Sequence, residues 1–148
     1  MARTENVLLA LTVEFAKEEY AGVVTGITPL NEPGGYRPGV TKVAVSYYEA
    51  GYKIVRSVAG NALMFLMHDA FKPYSFWNGF MNAAPYENTA LDTHVYSVFS
   101  DFQVAFSEEE RIEYYCSLKT PLARSDSNLP TIVVSYPCPA TLPSQSSA

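Results

Sequence analysis

The stretch Val23-Val24-Thr25-Gly26-Ile27-Thr28-Pro29-Leu30-Asn31-Glu32-Pro33-Gly34-Gly35 decides the fold class of this chain. Its first eight residues are rich in β-formers and do not alternate, the pattern of a strand buried on both faces of a parallel sheet. Asn-Glu-Pro-Gly-Gly then stops it as a strong turn cluster. Upstream, Thr4 can cap a helix whose apolar residues Val7, Leu8, Leu11 and Phe15 recur at three- and four-residue steps. Lys17, Glu18 and Glu19 lie on its far side and Gly22 ends it. Downstream, a helix from about Val40 to Val58 carries Val40, Ala44, Tyr47, Gly51 and Ile54 on one stripe and stops before Gly60.

The alternation continues to the end of the chain. Leu63 to Met67 is a short apolar run closed by His68-Asp69, and the aromatic loop Phe71 to Phe80 is expected to hold a helical turn around Trp77 and Met81. Thr89 to Phe99 reads as a strand carrying Asp92, His94 and Tyr96. Ser107 before Glu108, Glu109 and Glu110 marks a helix start, because a capping hydroxyl and early carboxylates satisfy the free amides and the dipole. That helix is expected to fade before Pro121 or the loop Ser125 to Asn128. Thr131 to Val134 is a last strand. Strands separated by helical segments predict an α/β fold of about four parallel strands, with right-handed crossovers placing the strand ends on one rim. Residues 1–136 read as one domain and 137–148, small and polar, as a disordered tail.

Composition narrows the function. Of 148 residues, 48% are hydrophobic and 17% charged, which excludes a disordered or coiled-coil chain. A net charge of -5 with scattered Lys and Arg argues against nucleic acid as a partner. No segment has the length of a membrane span. The apolar stretch Val7 to Val13 is flanked by Glu5 and Glu14 and lacks a cleavage site, so it reads as a helix of the fold and no signal peptide is visible. Cys116 and Cys138 are too few for a disulfide scaffold and lack zinc spacing; in a secreted setting they could bridge. The two histidines fall on different strands with no obvious third ligand, so neither metal nor cofactor is expected.

Chemistry concentrates at the strand ends. Asn31-Glu32, His68-Asp69, His94 with Tyr96, and Ser135-Tyr136 close the four strands in turn, and the carboxyl rim is where βα proteins carry reactive groups. A Glu before Pro in a Gly-rich turn also fits a solvated loop residue, and a lone strand His fits a structural role. A carboxylic acid can protonate a glycosidic oxygen when a second carboxylate attacks from the opposite face, and a neighbouring amide can hold the sugar 2-hydroxyl. Glu32 fits the acid. His94 and Tyr96 are in phase on one strand and can orient a carboxylate or a hydroxyl. Phe71, Trp77 and Phe99 offer stacking faces for pyranose rings, Trp77 suiting the core equally well.

Three segments carry a resemblance: Ile27-Thr-Pro-Leu-Asn-Glu-Pro-Gly34, His68-Asp-Ala-Phe-Lys-Pro-Tyr-Ser-Phe-Trp-Asn-Gly-Phe80 and Leu91-Asp-Thr-His-Val-Tyr-Ser-Val-Phe-Ser100. With Phe106 to Cys116 and Leu129 to Val133, they resemble the fungal exo-β-1,3-glucanases of glycoside hydrolase family 5. The resemblance implies a (β/α) barrel, here a truncated piece of it, and retaining hydrolysis of β-1,3-glucan without metal or cofactor. It implies Glu32 as acid/base, Asn31 on the sugar 2-hydroxyl, His94 and Tyr96 lining the glucose subsite, and Phe99 with Phe71 in an aromatic clamp. It also implies an extracellular or cell-wall location. Where the family continues the last strand as Gly-Glu-Trp, this chain reads Val134-Ser135-Tyr136, so the nucleophile position holds Ser135. A serine cannot replace the carboxylate in that mechanism. The expectation is therefore a glycosidase-like chain inactive by itself, or a non-catalytic β-glucan-binding or self-associating protein with exposed sheet edges.

Overall fold

A computed structural model describes residues 2–135. Four strands, β1 (Gly26–Ile27), β2 (Met64–His68), β3 (Thr89–Val95) and β4 (Thr131–Ser135), form one sheet in the order β1-β2-β3-β4. Every neighbouring pair is parallel, as the alternation predicts. Helix α1 (Ala2–Phe15) precedes the sheet, α2 (Val40–Ala59) joins β1 to β2, and a loop with a 3-10 turn at Tyr74–Trp77 joins β2 to β3. Three helices, α3 (Asp101–Val104), α4 (Glu108–Ser117) and α5 (Lys119–Asp126), lie between β3 and β4.

The first strand is much shorter than its β-rich sequence predicts. Tyr20 O accepts the amides of both Val23 and Val24, so these residues close a turn and never enter the ladder; Val23 is 78% exposed. Beyond Ile27, Pro29 has no amide to donate. The third strand likewise stops at Val95, short of Phe99. There the chain turns off the sheet because the buried Ser97 is held from α4, its Oγ accepting from Arg111 Nη1 at 2.6 Å and Tyr115 Oη at 3.3 Å.

The helices depart from the sequence pattern in three places. Helix α1 begins at Ala2, which puts Thr4 inside it, and buries only Leu8 and Thr12; Val7 and Leu11 are 58% and 43% exposed. The reason is that α1 packs along α2, where Gly51 leaves room for Leu8: a Cβ there would lie 3.1 Å from the Leu8 side chain. Ser107 caps α4 with the reciprocal Glu110 bond of a capping box. The helical path then continues through Pro121, which sits in the first turn of α5, where a missing amide costs nothing. Helix α3, capped by Ser100, had no apolar period to announce it.

The core lies between sheet and helices. Tyr48 and Val55 of α2 meet Phe65 and Met67 of β2, Leu91 of β3 and Trp77 of the aromatic loop. Each such large buried side chain contributes about 2 kcal/mol. Trp77 belongs to this core, its Nε1 donating to Asp69 O at 2.9 Å. Because side chains alternate, placing Phe65, Met67 and Leu91 on the helix side puts Leu66, His68, Asp92 and His94 on the other face. Among the described residues no helix is long and apolar enough to cross a membrane. The expected tail and Cys138 lie outside the described residues, and Cys116 is exposed on α4.

Candidate functional site

Glu32 sits in the loop that leaves β1 and turns back over the sheet. Its backbone is left-handed, with φ of 47°, a conformation that a non-glycine residue keeps only when its surroundings enforce it. The enforcement is visible nearby. Gly35 packs so closely on the end of β2 that a Cβ there would lie 2.4 Å from Ala70 O, and Thr41 Oγ1 donates to Gly35 O at 3.2 Å.

The carboxylate of Glu32 meets the end of β3. His94 Nδ1 lies 2.7 Å from Glu32 Oε1, and Tyr96 Oη donates to the same oxygen. Tyr96 Oη is also 3.2 Å from His94 Nδ1, so carboxylate, imidazole and phenol form a closed triangle. Tyr96 and His94 hold the Glu32 carboxyl below the usual range, because both hydrogen bonds favour its charged form. The Tyr96 ring meets Phe99 edge-on at 5.5 Å, and Phe99 is largely exposed.

The end of β2 supports this triangle from below. Ala70 and Phe71 both have left-handed backbones, φ 56° and 55°, and the tight turn they make is tied by two side chains. Ala70 N–H donates to His68 Nδ1 at 2.9 Å, and Phe71 N–H donates to Asp69 Oδ1 at 2.8 Å. Asp69 Oδ2 accepts from Thr93 Oγ1 at 2.5 Å. Burial raises the Asp69 pKa, and the Thr93 hydrogen bond partly offsets that. His68 is fully buried, which pushes its pKa down to about 4, with the His94 charge adding to the effect. Its ring stacks edge-to-face on His94 at 4.4 Å and on Phe71 at 5.2 Å. A cleft of about 810 Å³ opens beside His94, lined by Phe71, Lys72, Tyr74, Thr93 and Arg124 among others.

The structure thus brings Glu32, His94, Tyr96 and Phe99 together, with Phe71 edge-on to His68 and lining the cleft beside His94. Asn31 is exposed, and among the described residues its side chain makes no hydrogen bond. Ser135 is the last residue of β4, opposite Val95 in register. Sequence reasoning placed His68 and Asp69 at a strand end without seeing that they brace the site; the signal was their position two residues before the Ala70-Phe71 turn.

The donor set also corrects the expectation that the two histidines lack a third ligand. Glu32, His68 and His94 offer donor atoms all within 4.8 Å of one another. A metal-bound imidazole normally donates its second nitrogen's proton to an acceptor. His68 does the opposite: Nδ1 accepts from Ala70, so Nε2 carries the proton and has no lone pair to give. The three groups are therefore arranged for hydrogen bonding rather than ligation.

The structure is thus a parallel α/β sheet bearing a carboxylate, an imidazole, a phenol and an exposed aromatic ring at its carboxyl rim. The comparisons specify it further: the chain is related to the fungal glucan 1,3-beta-glucosidases. It is 33% identical over 121 residues to glucan 1,3-beta-glucosidase I/II of Saccharomyces cerevisiae, covering 81% of this chain and 27% of that protein. It is 38% identical to a glucan 1,3-beta-glucosidase of Blumeria graminis, over 71% of this chain and 25% of the relative. To a probable glucan 1,3-beta-glucosidase A of Emericella nidulans it is 41% identical, over 64% of this chain and 22% of the relative. The chain thus spans about a quarter of the length of the curated relatives it matches. No family model matches the chain.

Proposed function

We propose that this chain is the acid/base portion of a retaining β-1,3-glucan glycosidase barrel, which engages β-glucan and does not hydrolyse it unaided. The observation that carries this reading is the triangle in which Glu32 accepts from both Tyr96 and His94. A general acid must hold a proton at working pH, and retaining enzymes supply the reason with a second carboxylate about 5 Å away, whose charge raises the acid's pKa. Glu32 experiences the reverse: two donors keep it ionised. The position that the family resemblance gives to that second carboxylate is Ser135, whose hydroxyl provides neither the charge nor a glycosyl-ester nucleophile. Glu32 is thus built to accept hydrogen bonds, from protein donors or from sugar hydroxyls.

Sugar binding needs less than catalysis. Phe99 presents an open ring beside Tyr96, and a pyranose stacked on it would lie within reach of the Glu32 carboxylate. Asn31 would contact the 2-hydroxyl and Phe71 would face Phe99 across the site. Engagement of β-glucan fits a protein that works outside the cell or in the wall. Pairing with a second copy would use the sheet edges β1 and β4, next to which Val23 and Ile132 leave apolar surface open.

Titration calorimetry of the purified chain with β-1,3-linked glucose oligomers tests the proposal. Binding is expected, and Phe99→Ala and Tyr96→Ala should each weaken it about tenfold, in line with about 1 kcal/mol for an aromatic contact. Equal affinity in wild type and both variants contradicts it.

A further inference from the structure

We propose that the cleft between the aromatic loop and α5 is a subsite for a glycosyl unit carrying an anionic group, a carboxylate or a phosphate, recognised by Lys72 and Arg124. The inference rests on the reading of the adjacent rim as carbohydrate-binding for its glycosyl part, and on the cleft's own residues for its charge.

The cleft is framed by segments whose placement is fixed. Strand β3 contributes Thr93 and His94, the loop after β2 contributes Phe71, Lys72 and Tyr74, and α5 contributes Arg124. Just beyond α5, Asn128 ties that helix to the loop, its Oδ1 accepting from Gly79 N–H at 3.3 Å and from Asn82 Nδ2 at 2.9 Å. The volume of about 810 Å³ lies in the range of sites that take small molecules. The cleft is also continuous with the Glu32 site, because His94 lines it and meets Glu32 through Nδ1.

Charge in the cleft is unbalanced in one direction. Among the described residues, ion pairs are made by Lys17, His68 and His94, so neither Lys72 nor Arg124 has an acidic partner. Other arginines have structural work: Arg56 donates to the carbonyls of Gly60, Leu63, Glu87 and Asn88, and Arg111 donates to Ser97. The acid that lines the cleft, Asp69, is buried and already engaged, its Oδ1 accepting from Phe71 N–H and its Oδ2 from Thr93 Oγ1. Two cations without partners therefore line one concave surface of a chain whose net charge is -5. The molecule as a whole repels anions, so attraction of one must come from a local field.

The chemistry of the lining names the ligand. A guanidinium and an ammonium brought from two separate segments match the spread oxygens of a carboxylate or a phosphate. Phe71 adds an aromatic face, and Ser75 and Asn78 add a hydroxyl and an amide, groups that suit a sugar ring and its hydroxyls. A bare ion would use the cations and leave the rest of the cleft idle.

Amide NMR titrations of the full chain with glucose, laminaribiose, glucuronate, glucose 6-phosphate and inorganic phosphate test this. At least one charged sugar should bind about tenfold more tightly than glucose, moving the amides of Lys72 and Arg124, and the tighter of the two identifies the anionic group. Its affinity should fall about threefold when salt rises from about 20 mM to about 200 mM. Lys72→Gln and Arg124→Gln should each weaken the charged sugar by about fivefold and leave laminaribiose affinity unaltered, while Lys72→Arg retains charged-sugar binding. Equal affinity of the wild type for glucose and both charged sugars overturns the proposal without any variant having to fold. So does inorganic phosphate that binds as tightly as glucose 6-phosphate, since the cleft is then a simple ion site. The two readings stay distinguishable. A chain that binds a charged sugar and no laminaribiose sinks the β-1,3-glucan reading alone, and one that binds laminaribiose with no gain from charge sinks this inference alone.

Discussion

At the scale of single residues, the buried His68 gives the protein a measurable response to acid. Its pKa is lowered from 6.5 to about 4 by burial, so as pH falls the unfolded chain takes up this proton before the folded one does. Stability contributed by keeping His68 neutral is complete above about pH 6.5, declines through the window down to about 4, and totals about 3 kcal/mol at most. Asp69 acts in the opposite sense, since its raised pKa adds stability as pH falls through that value. Urea unfolding from pH 7 to pH 4.5 should therefore show a loss of stability that is visibly smaller in His68→Gln. Equal slopes in the two proteins contradict this. The residues that converge on Glu32 were legible in the sequence because strand alternation put His94 and Tyr96 in phase. The bracing by His68 was not, since nothing in His-Asp-Ala-Phe says that two consecutive left-handed residues will aim Ala70 N–H back at the imidazole.

At the scale of elements, the loop from β1 to α2 matters most, because it alone carries Glu32. It is seated by close contact rather than by bulk: Gly35 is buried with Ala70 O where its Cβ would be, at 2.4 Å. The obstacle is backbone and cannot swing aside. Gly35→Ala should lift the loop, destabilise the fold by about 1–3 kcal/mol as overpacking does, and weaken oligosaccharide binding by at least tenfold. Thermal melting and calorimetry check both effects, and wild-type values in both would show that the loop is not seated this way. At the opposite end of the strands, Arg56 of α2 donates to the carbonyls of Gly60, Leu63, Glu87 and Asn88 while stacking on Tyr52 at 4.7 Å. The long helix α2 and strand β2 were readable from their periods. Strand β1 was overread because a run rich in β-formers does not reveal that two of its amides are taken by Tyr20, and α5 was underread because Pro121 is compatible with a first helical turn.

At the scale of the whole molecule, four parallel strands support one rim on which Glu32 meets His94 and Tyr96. The face of the sheet away from the helical core is only partly covered, with Ile132 and Val134 of β4 exposed beside the groove formed by Val23, Val24, Met64 and Leu66. Alternation of strands and helices made the sheet order legible, and the rim position of the polar residues made the site legible; closure into a barrel is not a property that four strands express. The central claim of the proposed function is that this rim binds β-1,3-glucan while Glu32, whose charged form Tyr96 and His94 favour, does not cleave it. The most direct test is to incubate the purified chain with laminarin at pH 5 to 7 and assay sedimented protein and released glucose together. The account predicts protein carried down with the glucan and no glucose above the blank. Glucose released at a rate that Glu32→Gln abolishes would contradict it.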